Sequence, residues 1–168
     1  MPTNANLRFH RLAAFPIVVV AVAATGTLAA AAAQPSTAAH QGEVLKFGIL
    51  FSPFNVIDVP PLQQHPGDYR PGDYTVFSDT LTDRSGKAVG TEGGTGVITK
   101  VDATGAQISY TVSIQLPGGQ ITGQGLGSPD PHKQLAVTGG TGRYVDAAGQ
   151  VDVIENGDGT GSLTISLR

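Results

Sequence analysis

Two carboxylates, Asp79 and Glu92, sit in stretches that are otherwise apolar, small or hydroxyl-bearing, YTVFSDTLT at 74–82 and AVGTEGGTGVITKV at 88–101. Side chains of an extended strand alternate between its faces, so Phe77 and Leu81 share the side of Asp79, and Gly96 shares the side of Glu92. Two carboxyls brought into one apolar cavity would each have a raised pKa, and each would push the other's higher, which makes a general acid and a general base out of like groups. The competing reading is that one or both face solvent or bond a neighbouring Thr or Tyr. Tyr110, in the cleanly alternating QISYTVSIQL at 107–116, is either a core residue or a cavity hydroxyl able to orient a carbonyl or phenol. Arg143, in GTGRY, belongs to a turn and is either solvated or turned toward the mouth of the fold, where sites concentrate.

Other chemistries lack their residues. The chain has no cysteine, which excludes disulfides, thiolate metal sites, iron–sulfur clusters and thiol nucleophiles. His40, His65 and His132 are each isolated in Pro-, Gly- or Ala-rich sequence without a second ligand at zinc spacing, so neither a metal site nor a cofactor is expected. The glycines at 139, 140 and 142 suit a tight turn; a phosphate cradle would need a following helix and a Lys-Ser/Thr pair, and neither is present. No Ser-His-Asp order with a nucleophile elbow occurs. From Gln34 onward eight Lys and Arg face thirteen Asp and Glu, a formal charge of −5, which disfavours nucleic acid as a partner.

The elements that would position the two carboxylates are strands. Charged residues make up only 14% of the chain, whereas Gly numbers 23 and Pro 11, a turn-rich all-β composition. Residues 44–57 read as one strand broken or bulged near Pro53, and 59–73 as a loop in which PGDY occurs twice. Strands follow at 74–82 and 88–101, the second with interior glycines that mark a bend or close backbone approach. Others are expected at 107–116, 120–126, 133–138, 150–155 and 162–167, with turns at Pro117-Gly118-Gly119 and Asn156-Gly157-Asp158-Gly159 and a glycine-rich segment at 139–149. Eight short strands fit a closed antiparallel barrel better than an immunoglobulin-like sandwich, for which the Trp and the Cys pair are missing.

The N-terminus carries basic residues at Arg8, His10 and Arg11, an apolar stretch at 12–24 and a small-residue tract ending in Ala31-Ala32-Ala33. That order is expected of a signal peptide over 1–33, followed by a disordered tail at 34–42 and a folded domain at 43–168. A retained membrane anchor is the rival reading of the same length of chain, and Thr25-Gly26-Thr27 interrupts it. Cleavage would leave no membrane span and place the product outside the cytoplasm, secreted or at the cell envelope.

Two segments carry longer patterns. Residues 71–99 run PGDYTVFSDTLTDRSGKAVGTEGGTGVIT, and residues 118–151 run GGQITGQGLGSPDPHKQLAVTGGTGRYVDAAGQV. The F-S-D strand followed by VG, and then QG, LAVTGGTG and GQV, resemble the allene oxide cyclase family and, more loosely, the dirigent proteins. The resemblance implies an eight-stranded barrel with a hydrophobic cavity, usually assembled as trimers. It also implies a substrate site built from a Glu and an Asn on the first strand, an Asn in F-S-N and a Cys on the third strand. Here the F-S-N Asn corresponds to Asp79 and the Cys to Gly96, while FGILFSPFNVID offers Ser52 and Asn55 but no Glu in a comparable setting. The inward orientation of Asp79 carries over, and parity then turns Phe77, Leu81 and Glu92 inward with it.

These observations lead to an exported barrel that binds a small apolar organic ligand, with Asp79 and Glu92 as the catalytic pair and Phe77, Leu81, Tyr110 and Arg143 as ligand-binding residues. If catalytic, it is an isomerase of the cyclase type or a stereo-directing protein. The alternative is a non-catalytic carrier or structural envelope protein with the same barrel. An adhesion module is a third reading and would need an exposed apolar patch.

Overall fold

The computed structural model describes residues 42–60 and 69–168. The expected leader, most of the expected tail, His40, His65 and the start of the first PGDY copy lie outside the described residues.

Nine strand segments follow one another: β1 (Val44–Leu50), β2 (Asn55–Ile57), β3 (Tyr74–Thr82), β4 (Ala88–Asp102), β5 (Gly105–Leu116), β6 (Gly119–Gly127), β7 (His132–Gly140), β8 (Gly149–Glu155) and β9 (Thr160–Leu167). Every pairing is antiparallel, in the order β1-β9-β8-β7-β6-β5-β4-β3, and β3 pairs back onto β1. The sheet therefore closes into an eight-stranded barrel, with β2 paired on one side only. β1 and β2 are two pieces of one stave: β1 takes Thr80 to Thr82 of β3 as partners, and β2 takes Tyr74 to Val76. The break expected near Pro53 falls between them, because proline has no N–H to give the ladder. Among the described residues the only helical element is a single 3-10 turn, Gly142–Tyr144.

The glycine-rich segment after residue 138 differs from its reading as a loop. Gly139 and Gly140 still pair with Thr122 and Ile121, after a register shift that marks a bulge. Gly140 is there because of close approach: a Cβ on it would lie 2.4 Å from the Tyr144 carbonyl oxygen and 2.5 Å from that of Gln120. Gly142 has φ +62°, which favours glycine, and its added Cβ would strike the Gly118 carbonyl oxygen at 2.1 Å. Two hairpins thus lock together at one end of the barrel.

That end is packed solid. The inward residues Leu81, Ile114, Ile121, Val151 and Ile165 are fully buried, with Leu116, Leu167 and Tyr144 nearly so. Each such aliphatic side chain stabilises the fold by about 1.5–3 kcal/mol through removal from water. Toward the other end of the same staves the inward residues change character, and a hollow opens.

Candidate functional site

Asp79 on β3 and Glu92 on β4 are direct cross-strand partners. The register of this ladder shifts only between Leu81 and Thr82, beyond the pair, so parity holds and both side chains point into the barrel. Asp79 is 4% exposed and Glu92 3%. Their surroundings differ. Where the first stave breaks, the Ser52 N–H donates to Asp79 Oδ1 at 2.8 Å, so the carboxylate takes up a backbone donor released by the interruption. Glu92 has no corresponding donor among the described residues. Burial, and then the nearby Asp79 charge, push the Glu92 carboxyl up to about 7. Burial also raises Asp79, opposed by the Ser52 hydrogen bond and aided by the charge of Glu155. The pair therefore consists of a carboxyl that holds its proton near neutrality and an equally buried, hydrogen-bonded partner beside it.

Above these two groups lies a cavity of about 440 Å³. Its walls are apolar, from Ile98, Ile108, Leu135 and Val153, and aromatic, from Phe51, Phe77 and Tyr110, with Phe54 and Tyr69 toward the rim. Inward positions flanking β5 that carry no side chain make room for the Tyr110 ring. Gly96 and Gly127 lie on either side of the Tyr110 ring, and a Cβ on either would come within 3.1 Å of it. The Tyr110 hydroxyl donates to the Ser128 carbonyl oxygen at 3.2 Å, and burial followed by the charges of Glu155 and Asp130 pushes it up to about 12. It remains a neutral donor or acceptor throughout the ordinary pH range.

An ion pair at the rim completes the set. Lys133 Nζ donates to Glu155 Oε1 at 2.5 Å and to the Asp130 carbonyl oxygen at 2.6 Å. Both side chains line the cavity. Neither was singled out from the sequence, although parity carried the signal: Lys133 lies two residues before inward Leu135, and Glu155 two after inward Val153. Among the described residues no three His, Asp or Glu side chains converge as a metal ion would need.

The pattern of the family described as "Allene oxide cyclase barrel like domain" matches residues 58–160, a segment that holds both carboxylates and most of the cavity wall. The chain belongs to this family. A comparison of the sequence with curated proteins found no match. Among solved structures, this allene oxide cyclase-like barrel is similar to a pyocyanin demethylase at 24% identity and a TM-score of 0.66, over 75% of this chain and 100% of that one. It is also similar to the Diels-Alderase AbmU from Streptomyces koyangensis, at 18% identity and a TM-score of 0.61, over 74% and 63% of the two chains. The pterocarpan synthase dirigent protein PsPTS1 matches at 15% identity and a TM-score of 0.56, over 76% and 93%. These likenesses are of fold.

Within the barrel the expected site residues separate into two groups. Asp79, Glu92, Phe77 and Tyr110 meet in the cavity. Leu81 points inward as parity requires, but it is 0% exposed in the packed core and does not form the cavity wall. Arg143 lies on the 3-10 turn at the opposite, packed end. Its Nη2 donates to Glu43 Oε1 at 2.6 Å and its guanidinium sits 5.1 Å from the centre of the Tyr144 ring. It has no part in the cavity, because β7 enters at the open end with Lys133 and leaves at the packed one.

Proposed function

We propose that the protein binds a small, largely apolar organic molecule in the open half of the barrel and steers its reaction, by cyclisation, isomerisation or stereochemical direction. The observation that carries this reading is the buried, cross-strand carboxyl pair at the floor of a roughly 440 Å³ apolar and aromatic cavity. Near neutral pH Glu92 supplies a proton to the ligand, Asp79 accepts one, and the Tyr110 hydroxyl orients an oxygen. The rest of the work falls to shape, since a cavity that holds a flexible substrate in one conformer removes entropy from the barrier. Solved barrels of similar fold carry the names of a demethylase, a Diels-Alderase and a pterocarpan synthase, which supports chemistry on small organic molecules in such a hollow.

The test is to purify the native protein, identify any bound small molecule by mass spectrometry, and measure its turnover by wild type, Asp79→Asn and Glu92→Gln. Loss of turnover in both variants, each still folded by circular dichroism, is expected. A second reading, a non-catalytic carrier, is favoured by the Ser52 bond, which gives Asp79 a structural task independent of any reaction. Unchanged binding with no turnover by any form would select it. We further propose that the protein works outside the cytoplasm, on the strength of the basic, apolar and Ala-ending leader, and assembles as a trimer as the family resemblance implies. N-terminal sequencing should find a start near Gln34, and light scattering should give the mass of three chains.

A further inference from the structure

We propose that the cavity selects an organic cation, an apolar and largely aromatic body carrying a quaternary or protonated nitrogen that seats against the Glu92 and Asp79 carboxyls. This rests on the ligand-binding reading above and narrows it to a substrate class. Glu92 is 3% exposed, lines the cavity, and meets no hydrogen-bond donor among the described residues. A buried carboxyl left without a partner costs free energy that a ligand can recover, and the most effective ligand is one of opposite charge.

Among the described residues, the groups that face Glu92 offer it no free protein cation. β3 presents Asp79, which adds negative charge. β5 presents the apolar Ile114 opposite Glu92, with Val112 and then the neutral Tyr110 farther along the same face. β7 and β8 present Lys133 and Glu155, and that ammonium is already held by the Glu155 carboxylate and the Asp130 carbonyl oxygen. The described rim adds Tyr69, which has no positive charge. Among the described residues the cavity thus holds three carboxyl groups against one engaged ammonium. Phe51, Phe77 and Tyr110 line the cavity, and an aromatic ring attracts a cation that seats over its face. When the cation seats, protonated Glu92 becomes a carboxylate paired with it and one proton passes to solvent, so toward this ligand class Glu92 binds charge and is no longer the acid. Binding should therefore strengthen as pH rises through about 7. A neutral ligand that accepts a hydrogen bond from the protonated carboxyl would show the opposite slope.

The experiment uses three aromatic probes of nearly equal shape: N-methylquinolinium, its neutral isostere 1-methylnaphthalene, and the anion 1-naphthoate. Each is titrated calorimetrically into the mature protein below and above the Glu92 value, in two buffers of different ionisation enthalpy. The cation should bind at least about tenfold more tightly than the isostere at the higher pH, with the advantage shrinking at the lower pH and a proton released on binding. Glu92→Gln, checked for folding by circular dichroism, should lose the pH dependence and most of the preference. Equal or tighter binding of the neutral or anionic probe would overturn the cation proposal and leave the ligand-binding reading intact. If none of the three binds and native preparations carry no small molecule, both fail together.

Discussion

The two ends of this barrel are built from the same strands and obey the same alternation, yet one is packed and the other hollow. Along β3 the inward residues run Thr75, Phe77, Asp79, Leu81, and their partners along β4 run Gly96, Gly94, Glu92, Gly90. Leu81 enters a core of Ile114, Ile121, Val151 and Ile165, whereas Thr75 and Phe77 toward the other end face the hollow. Inward direction alone therefore does not decide what a residue does; depth along the stave does. The acid pair sits at the boundary, close enough to the core to lose water and close enough to the hollow to meet a ligand.

The largest effect expected from testing this contrast comes from the packed end. Ile114→Ala or Leu81→Ala should cost about 2–5 kcal/mol in denaturant unfolding, because neither side chain has neighbours free to collapse into the space it leaves. An equivalent truncation in the hollow, Phe77→Ala, should cost less and instead weaken ligand binding, since Phe77 is only partly buried against the core. Equal stability losses at the two ends would break the distinction between a packed half and a functional half.

Next in size is the pH dependence of the boundary. The Glu92 carboxyl is held at about 7 in the folded protein against 4.5 for a free one. A raised carboxyl pKa means that the folded state binds the extra proton, so its stability is greatest below the unfolded value and falls as pH rises from about 4.5 toward and through about 7. The loss across that window is about 3 kcal/mol. Glu92→Gln, which keeps the shape without the charge, should abolish this slope and be the more stable protein under alkaline conditions. Urea titrations of both proteins across the window measure it, and parallel slopes would show that Glu92 is solvated.

Much of this was legible in the strand pattern. The break at Pro53 and Tyr110 on the inward face of β5 follow from alternation and turn chemistry, whereas for Asp79 and Glu92 the family resemblance supplied the inward side and parity extended it. What alternation does not encode is depth, which depends on the tilt and stagger of a closed sheet. That is why Leu81 was grouped with the cavity and belongs to the core. Lys133 and Glu155 were missed for another reason: each follows the parity of its strand, but each is charged and close to a turn, where a solvated side chain is the ordinary expectation. Gly139 and Gly140 were assigned to a loop because glycine usually punctuates strands, whereas here close approach of two hairpins demands it inside one.

A smaller effect should separate the two tasks available to Asp79. Asp79→Ala removes the acceptor of the part-buried Ser52 hydrogen bond and should cost about 1 kcal/mol. Asp79→Asn retains an oxygen at that position and removes a carboxylate that burial disfavours, so its stability should match or exceed wild type. Thermal melts of the two variants beside wild type make the comparison. If Asn destabilises as much as Ala, charge rather than the Ser52 bond holds the broken stave in place.

The smallest effect is expected at Arg143, and it tests whether the two ends are independent. Its side chain is half exposed, so the ion pair with Glu43 is screened by water and contributes roughly 0–1 kcal/mol. Stacking on the Tyr144 ring adds a contribution of similar size. Arg143→Ala should therefore lower stability by no more than about 1 kcal/mol. The rigid core between the 3-10 turn and the cavity gives the substitution no contact through which to reach the acid pair. Ligand affinity and its pH dependence should be unchanged, as measured by the same calorimetry used for wild type. A clear loss of affinity in this variant, with stability nearly intact, would mean that the packed end shapes the open one.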